Sequence, residues 1–308
     1  MLKILVTGGT GFIGKYLVES LVKNENIVTV FDNFSNSDKK NISFFTDRKI
    51  RFFEGDITNF EDINKAMEEQ DIVIHLAAKI SVEESLRNPT ETFRVNVDGT
   101  KNILFSCKKN NVKKIVVASS AAVYGEGSPN VKLTEKSKTN PISPYGESKI
   151  KMEDEIKKNA SECGINYIIL RFFNIYGIGQ SSEYAGVITK FLERIKNSKS
   201  LKIFGDGMQT RDFISIQDVI NSIHNAISYN KNGVFNIASG KAITIRELAE
   251  LMILQSEKKL SIQYLPPKKG DIRYSEADIS LAKENLGYNP KIELRDGIKK
   301  LLNANINS

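Results

Sequence analysis

Tyr145 and Lys149 stand four residues apart in Tyr145-Gly146-Glu147-Ser148-Lys149, the spacing that sets a phenol and an ammonium one above the other on a helix. Pro144 precedes the tyrosine and Ser143 offers a cap, so the pair falls in a first helical turn. A nearby cation and a helix N-terminus both favour phenolate, drawing a phenol from about 10 toward working pH, where it can take a proton from a hydroxyl. Alone, the spacing equally describes a surface tyrosine beside a solvated lysine. Ser119-Ser120-Ala121-Ala122-Val123-Tyr124-Gly125 adds a second group. It follows the apolar run Lys114–Ala118, so its hydroxyls emerge at a strand end, where one could donate to a substrate oxygen while Tyr145 removes the proton.

Gly8-Gly9-Thr10-Gly11-Phe12-Ile13-Gly14 follows one apolar run and opens another of helical period. In that context a glycine turn brings backbone amides and a helix start to a phosphate. The glycines are spaced three and three, where the usual dinucleotide fingerprint has two and three. Asp32 lies 18 residues beyond Gly14, at the end of the second apolar run. A carboxylate there accepts from ribose hydroxyls and repels a 2′-phosphate, which favours NAD over NADP. Asp32-Asn33 also reads as a plain strand-end turn, as does Asp56-Ile57, which falls where an adenine edge would rest.

These residues need a frame. Strands are expected at Lys3–Val6, Ile27–Phe31, Ile50–Phe53, Ile72–Leu76, Lys114–Ala118 and Ile165–Leu170. Helices are expected at Phe12–Lys23, from about Thr90 to Asn110, at Tyr145–Cys163 and at Val219–Ser228. Continuous Ile/Val strands separated by helices predict an α/β fold with a doubly wound, Rossmann-like parallel sheet and ligands at the strands' carboxyl ends. The expected division is a dinucleotide-binding domain over 1–175, with about 211–237 returning to it, and a smaller α/β substrate domain over 176–308. No 20–50-residue repeat is present.

The 308 residues are 40% apolar and 26% charged, proportions that set aside disordered and fibrous classes. A net charge of +7 comes from scattered lysines with no basic tract of five, which argues against nucleic acid and suits an anionic small substrate. No apolar run is long enough for a membrane span. Met1-Leu2-Lys3 runs directly into the first strand, which predicts no signal peptide, and the isolated Cys107 and Cys163 suit a cytoplasmic protein. His75 ends a buried strand and His224 sits on a helix without a partner motif, so no metal is expected.

In this order along one chain, the signals resemble the extended short-chain dehydrogenase/reductase superfamily. Within it they are closest to the NAD-dependent sugar-nucleotide epimerase/dehydratase group, of the UDP-glucose 4-epimerase type. The landmarks are Thr7–Gly14, Asp32-Asn33, Gly55-Asp56-Ile57, His75-Leu76-Ala77-Ala78, Asn96-Val97-Asp98-Gly99-Thr100, Ser119–Gly125, Tyr145–Lys149, Arg171-Phe172-Phe173-Asn174, Arg211-Asp212-Phe213 and Gly270-Asp271. The resemblance implies Tyr145 as base, Lys149 as the group that lowers its pKa and holds the nicotinamide ribose, and Ser120 at the reacting oxygen. Ser120 is preferred because it lies four before Tyr124; Ser119 is then a supporting hydroxyl.

It further implies NAD against Gly8, Gly11, Phe12, Ile13, Gly14, Asp32, Asn33, Ser35, Asn36, Asp56, Ile57, Leu76, Ala77, Ala78, Lys79, Asn96, Ser119, Tyr145, Lys149 and Phe173. A UDP-sugar is implied against Lys79, Ser120, Tyr145, Asn174, Val187, Lys202, Ile203, Phe204, Arg211, Lys268, Asp271 and Ser275. Arg211 would grip the diphosphate, with an ion pair to Asp212 or Asp206 as its plainer role. Lys268-Lys269-Gly270-Asp271 departs from the family's Arg-x-Gly-Asp, trading a planar fork for a point charge. The small Ser275 implies room for an N-acetyl group.

The activity implied is 4-epimerisation through a transient 4-keto sugar. A 4,6-dehydratase, decarboxylase or reductase, or a non-catalytic nucleotide-sensing protein, are the alternatives. Ala121 and Ala122 stand where dehydratases carry acids. A homodimer formed through Thr90–Asn110 and Tyr145–Cys163 is implied as well.

Overall fold

Ile4, Leu5 and Val6 are fully buried in the first strand, β1 (Lys3–Thr7), of a computed structural model that describes residues 1–41, 45, 50–180, 186–268 and 270–306. The next strands are β2 (Ile27–Asp32), β3 (Arg51–Glu54), β4 (Ile72–His75), β5 (Lys114–Ser120) and β6 (Asn166–Phe172). With strand Gly233–Ile237 they form one seven-stranded sheet, ordered Gly233–Ile237, β6, β5, β4, β1, β2, β3. β1 pairs in parallel with both β2 and β4, and β2 with β3 and β4 with β5 likewise. The strand order reverses at β1, and a doubly wound sheet opens its ligand crevice at such a switch point. This is the fold class the alternation predicted.

The chain divides into two compact units. The first comprises 1–123, 143–171 and 222–235. Its core joins Leu5, Phe31, Val73, Ile115 and Val117 of the sheet to Ile103, Leu104, Met152 and Ile156 of the covering helices. Burying each such side chain contributes about 1.5–3 kcal/mol.

The second unit comprises 124–142, 172–221 and 236–308. It holds β7 (Asn174–Tyr176), β8 (Leu201–Phe204), β9 (Thr210–Ser215), the tail of β10 (Gly233–Ile237), β11 (Ala242–Thr244) and β12 (Ile262–Leu265). Its core is built by helices Val187–Lys196, Ile245–Ser256 and Leu294–Ile306, through residues such as Phe191, Leu248 and Leu301. The expected boundary at 175 therefore moves to 171, and the returning segment is 222–235 rather than 211–237. Residues 124–142 lie in the second unit because their partners do. Leu133 bridges Ala277, Glu126 accepts from the Arg273 and Tyr274 amides, and Glu135 accepts from the Asn236 amide.

The helix expected over Thr90–Asn110 is three pieces: Pro89–Phe93, a wide π turn at Arg94–Asp98, and Gly99–Lys109. The turn surrounds Asn96, whose carbonyl accepts from the Thr100 hydroxyl at 2.7 Å. Such insertions mark places where a side chain must be re-aimed. Among the described residues no helix is long and apolar enough to cross a membrane.

Candidate active site

The glycine turn closes by the Gly8 amide donating to the Phe31 carbonyl at 2.9 Å. Gly8 has φ +69°, and a Cβ there would sit 2.7 Å from the Ala77 nitrogen in the loop after β4. A Cβ on Gly14 would press to 2.6 Å from the Gly9 Cα. Both positions admit glycine alone. Helix Phe12–Lys23 starts at Gly11 with no side chain capping it and no acid in its first turn, so its leading amides and positive end are available to an anion.

Asp32 ends β2 nearly buried, accepting from the Thr10 and Phe34 amides at 3.0 and 2.9 Å. Asn33 donates to Asp56 at 3.1 Å and accepts from the Ser35 amide. Burial opposes ionisation of Asp56, yet hydrogen bonds from Thr58 and Asn33 hold its carboxyl below the usual range. Asn36 donates to the Ala78 carbonyl, while its Oδ1 is buried without a protein donor. Uncapped amides, a strand-end carboxylate and an orphaned acceptor around a glycine floor fit a dinucleotide. Gly14→Ala should therefore weaken NAD binding by at least about tenfold with the fold retained, read by cofactor titration against a thermal melt.

The other candidates in this unit divide. Leu76, Ala77, Ala78 and Lys79 follow β4, half-buried, as do Gly11, Phe12 and Ile13 at the helix start. Ile57 faces the core instead.

Tyr145 opens helix Pro144–Glu162, capped by Ser143, whose Oγ accepts from the Gly146 amide at 3.2 Å. Ser120 lies beside its hydroxyl. The expected phenolate is not favoured here: burial pushes the phenol above its usual value, against the lowering effect of Ser120. The Lys149 Nζ one turn on donates to the Ala118 carbonyl at 2.9 Å. Burial lowers that ammonium to about 8, opposed by Glu153. Ser119 turns inward and donates to Glu153 at 2.6 Å.

Two further residues were not singled out for their part in this arrangement. Asn96 accepts from the Lys79 amide at 2.8 Å and donates to the Lys79 carbonyl and to Ser148 Oγ. Ser148 in turn donates to the Tyr145 carbonyl at 2.7 Å. The amide of Asn96 is thus a clamp between the β4 loop and the tyrosine's own turn. His75 bridges Thr7 and Thr100 at 2.9 and 3.0 Å, and burial drives it down to about 3, so it is a neutral strut. His224 meets Ser20 at 2.7 Å. No group of three His, Cys, Asp or Glu side chains suited to a metal occurs among the described residues.

In the second unit Arg211 pairs with Asp271 at 2.5 Å, not with Asp206 or Asp212. Asp206 is taken by Arg273, in two bonds of 2.6 and 2.7 Å. Gln209 donates to the Phe204 carbonyl at 2.8 Å and more loosely to Asp271, which orients its amide and leaves Oε1 buried without a donor. That orphan beside the Arg211–Asp271 pair escaped sequence reasoning; a lone glutamine carries no motif. Lys268 lies 4.6 Å over the Phe204 ring, a cation–π contact, and Lys202 is exposed. Lys269 lies outside the described residues.

Ile203 is core, and Val187 begins a helix at the margin of that core. Phe173 packs on Tyr124, and Asn174 donates to the Asp212 carbonyl. Ser275 is buried, its amide directed at Thr210 Oγ1.

Asp212 accepts from the Ser239 amide and hydroxyl and from the Gly240 and Ala277 amides. Asp212→Asn would set an NH₂ against those donors. A loss of about 1–3 kcal/mol in urea unfolding is expected, since a buried donor left unpaired costs that much.

Residues 4–238 match the model of the NAD dependent epimerase/dehydratase family. A putative UDP-glucose 4-epimerase of Methanocaldococcus jannaschii is 40% identical over 305 residues, covering 97% of each chain. A UDP-glucuronate 4-epimerase of Thermodesulfobacterium geofontis is 33% identical, covering 97% of this chain and 94% of that one. The crystal structure of a Thermotoga maritima UDP-glucose 4-epimerase with UDP-glucose is similar at a TM-score of 0.93 and 35% identity, covering 98% of each chain.

Proposed function

The chain belongs to the NAD dependent epimerase/dehydratase family, and on that premise we propose that it inverts C4 of a UDP-sugar, interconverting glucose and galactose forms. NAD is the cofactor, and when bound it supplies reversible oxidation of the carbinol with no net redox change. Gly8, Gly11 and the first turn of Phe12–Lys23 would hold its pyrophosphate, and Asp32 a ribose.

The observation that carries the reading is the placement of the Tyr145 phenol beside the Ser120 hydroxyl at the end of β5. Both are half-buried. Ser120 would donate to the sugar O4 while Tyr145, having first released its own proton to solvent, accepts the O4 proton as a phenolate, and the phenol so formed returns that proton after inversion. Lys149 stands within the next helical turn and adds positive charge to the phenol's surroundings. Arg211 and Asp271 would take the nucleotide's diphosphate and ribose, Arg211 by its two-pronged geometry. The protein would act as a homodimer.

Elimination or decarboxylation needs further acids beside the catalytic serine, and Ala121 and Ala122 have no proton to exchange. That favours epimerisation over the dehydratase and decarboxylase readings. The test is NMR identification of products from UDP-glucose, UDP-galactose, their N-acetyl forms and UDP-glucuronate. A 4-epimer without net NADH is the expected product; a 4-keto-6-deoxy sugar, a pentose or stoichiometric NADH consumption would overturn the reading.

Ser275 adds a finer expectation. Its small side chain is proposed to leave room for a 2-acetamido group, so both acetylated and plain hexoses should turn over. Ser275→Tyr should reduce kcat/KM on the N-acetyl sugar by about tenfold more than on UDP-glucose, the scale of a steric change in a pocket. Equal losses on both sugars would rule the gate out.

A further inference from the structure

Proton transfer uses Tyr145, Ser120 and Lys149, yet among the described residues the most deeply buried ion pair of the first unit, Glu153 with Arg171, lies on the same helix and the next strand. Glu153 is one helical turn beyond Lys149 and two beyond Tyr145, with its side chain 1% exposed. Both its oxygens are engaged: Oε1 accepts from Arg171 Nε at 2.9 Å and Ser119 Oγ at 2.6 Å, and Oε2 from Arg171 Nη2 at 2.6 Å. Lys157 approaches Oε2 at 3.3 Å from the solvent side.

A buried ion pair is weak support for stability, since apolar residues of similar volume often serve as well. Its location invites a different explanation. Ser119 is the residue before Ser120, and Ala118, which accepts from Lys149, is the residue before that. One carboxylate therefore braces the strand end that presents Ser120, and its charge favours the protonated form of the ammonium one helical turn before it.

We propose that Glu153 is a positioning residue for proton transfer: bonded to Ser119 and Arg171, it fixes the end of β5 and holds Lys149 as a cation. This rests on the reading that Tyr145, Ser120 and Lys149 move the proton. The groups that bear on Lys149 are Tyr145, Glu153 and Lys157 on its own helix, His75 on β4, and Arg171 on β6. His75 is neutral, since burial keeps it at about 3. Tyr145 is neutral as well, its phenol being pushed up by burial. Arg171 and Lys157 are positive, which leaves Glu153 as the single anion of that set. Burial already brings the Lys149 ammonium to about 8. Without the carboxylate it would surrender its proton in the neutral range.

The test titrates Lys149 directly in the full-length protein, by NMR of ¹³Cε-lysine with Lys149→Arg assigning the resonance. The wild-type midpoint should lie near 8, and Glu153→Gln should lower it by about one to two units, the coupling of charges a helical turn apart at an effective dielectric near 20. The alkaline limb of kcat/KM should move down in pH by the same amount. Glu153→Gln leaves Arg171 buried without its anion, so the paired variant Glu153→Gln/Arg171→Gln, which keeps the site neutral, is made beside it and should show a smaller fall in the same direction, since a repelling charge is removed with the attracting one.

An unmoved midpoint in Glu153→Gln, or one that does not fall in the paired variant, overturns the proposal, as does a uniform drop in kcat with an unshifted profile. The NMR midpoint is independent of any sugar. A protein that turned over no nucleotide sugar yet showed the shift would sink the epimerase reading and leave Glu153's hold on Lys149 standing.

Discussion

Tyr145→Phe should lower kcat for 4-epimerisation by about 10²–10⁴-fold, the range that a positioned acid–base group contributes. The expectation follows from what the hydroxyl does and what the ring does. The ring fills space at the start of the Pro144–Glu162 helix and is kept by phenylalanine. The hydroxyl is half-buried beside Ser120, and its loss leaves Ser120 Oγ still accepting from the Ala122 amide at 3.2 Å. Packing and helix cap are therefore preserved, so the melting temperature should move by no more than a few degrees. Calorimetry should find UDP affinity within about twofold of wild type, because in the proposed scheme Tyr145 touches the sugar and not the nucleotide. NAD content should hold to a similar degree, since the glycine turn and Asp32 are untouched. A rate close to wild type would remove Tyr145 from the mechanism. A collapse of cofactor content would mean that the tyrosine serves binding first.

The residues that could be read in advance are those whose chemistry is local. The glycine turn follows one strand and opens one helix, and Tyr145 and Lys149 lie on a single helical face. Spacing alone exposes such groups, and the alternation of Ile/Val runs with helices was enough to predict the parallel sheet. Their electrical state was another matter. Spacing implied a phenol lowered by a neighbouring ammonium. It could not show that Lys149 would donate to the Ala118 carbonyl, nor that burial would dominate the phenol. Partners distant in sequence were equally hidden: Glu153 with Arg171, Asn96 with Ser148, and Arg211 with Asp271. Residues 124–142 fall inside the 1–175 expected for the dinucleotide-binding domain. Their hydrogen bonds to 236 and 273–274 put them in the other unit, which no local pattern records.

Arg211→Ala carries the second large expectation, a loss of about 10²-fold or more in affinity for UDP and UDP-sugars with kcat at saturation little changed. The guanidinium is mostly buried at 15% exposure, and Asp271 accepts from Nη2 while the Thr210 carbonyl accepts from Nη1 at 2.8 Å. Burial weakens its hold on the proton, against the opposing charges of Asp271 and Glu126. A side chain so confined has little rotamer freedom left to lose when it meets a diphosphate, and its planar fork can pair with two oxygens at once. Each charge-assisted bond contributes about 1.5–3 kcal/mol, so two account for a hundredfold or more. Arg211→Lys should recover only part of this, because a point charge cannot make the paired contact. Lys268→Ala makes the internal comparison. Lys268 is exposed and its ammonium already rests over the Phe204 ring, so its removal should cost no more than about fivefold. If Arg211→Ala bound UDP as tightly as wild type while melting normally, the diphosphate would have to be held by other groups, and the Arg211–Asp271 pair would be a brace of the second unit alone.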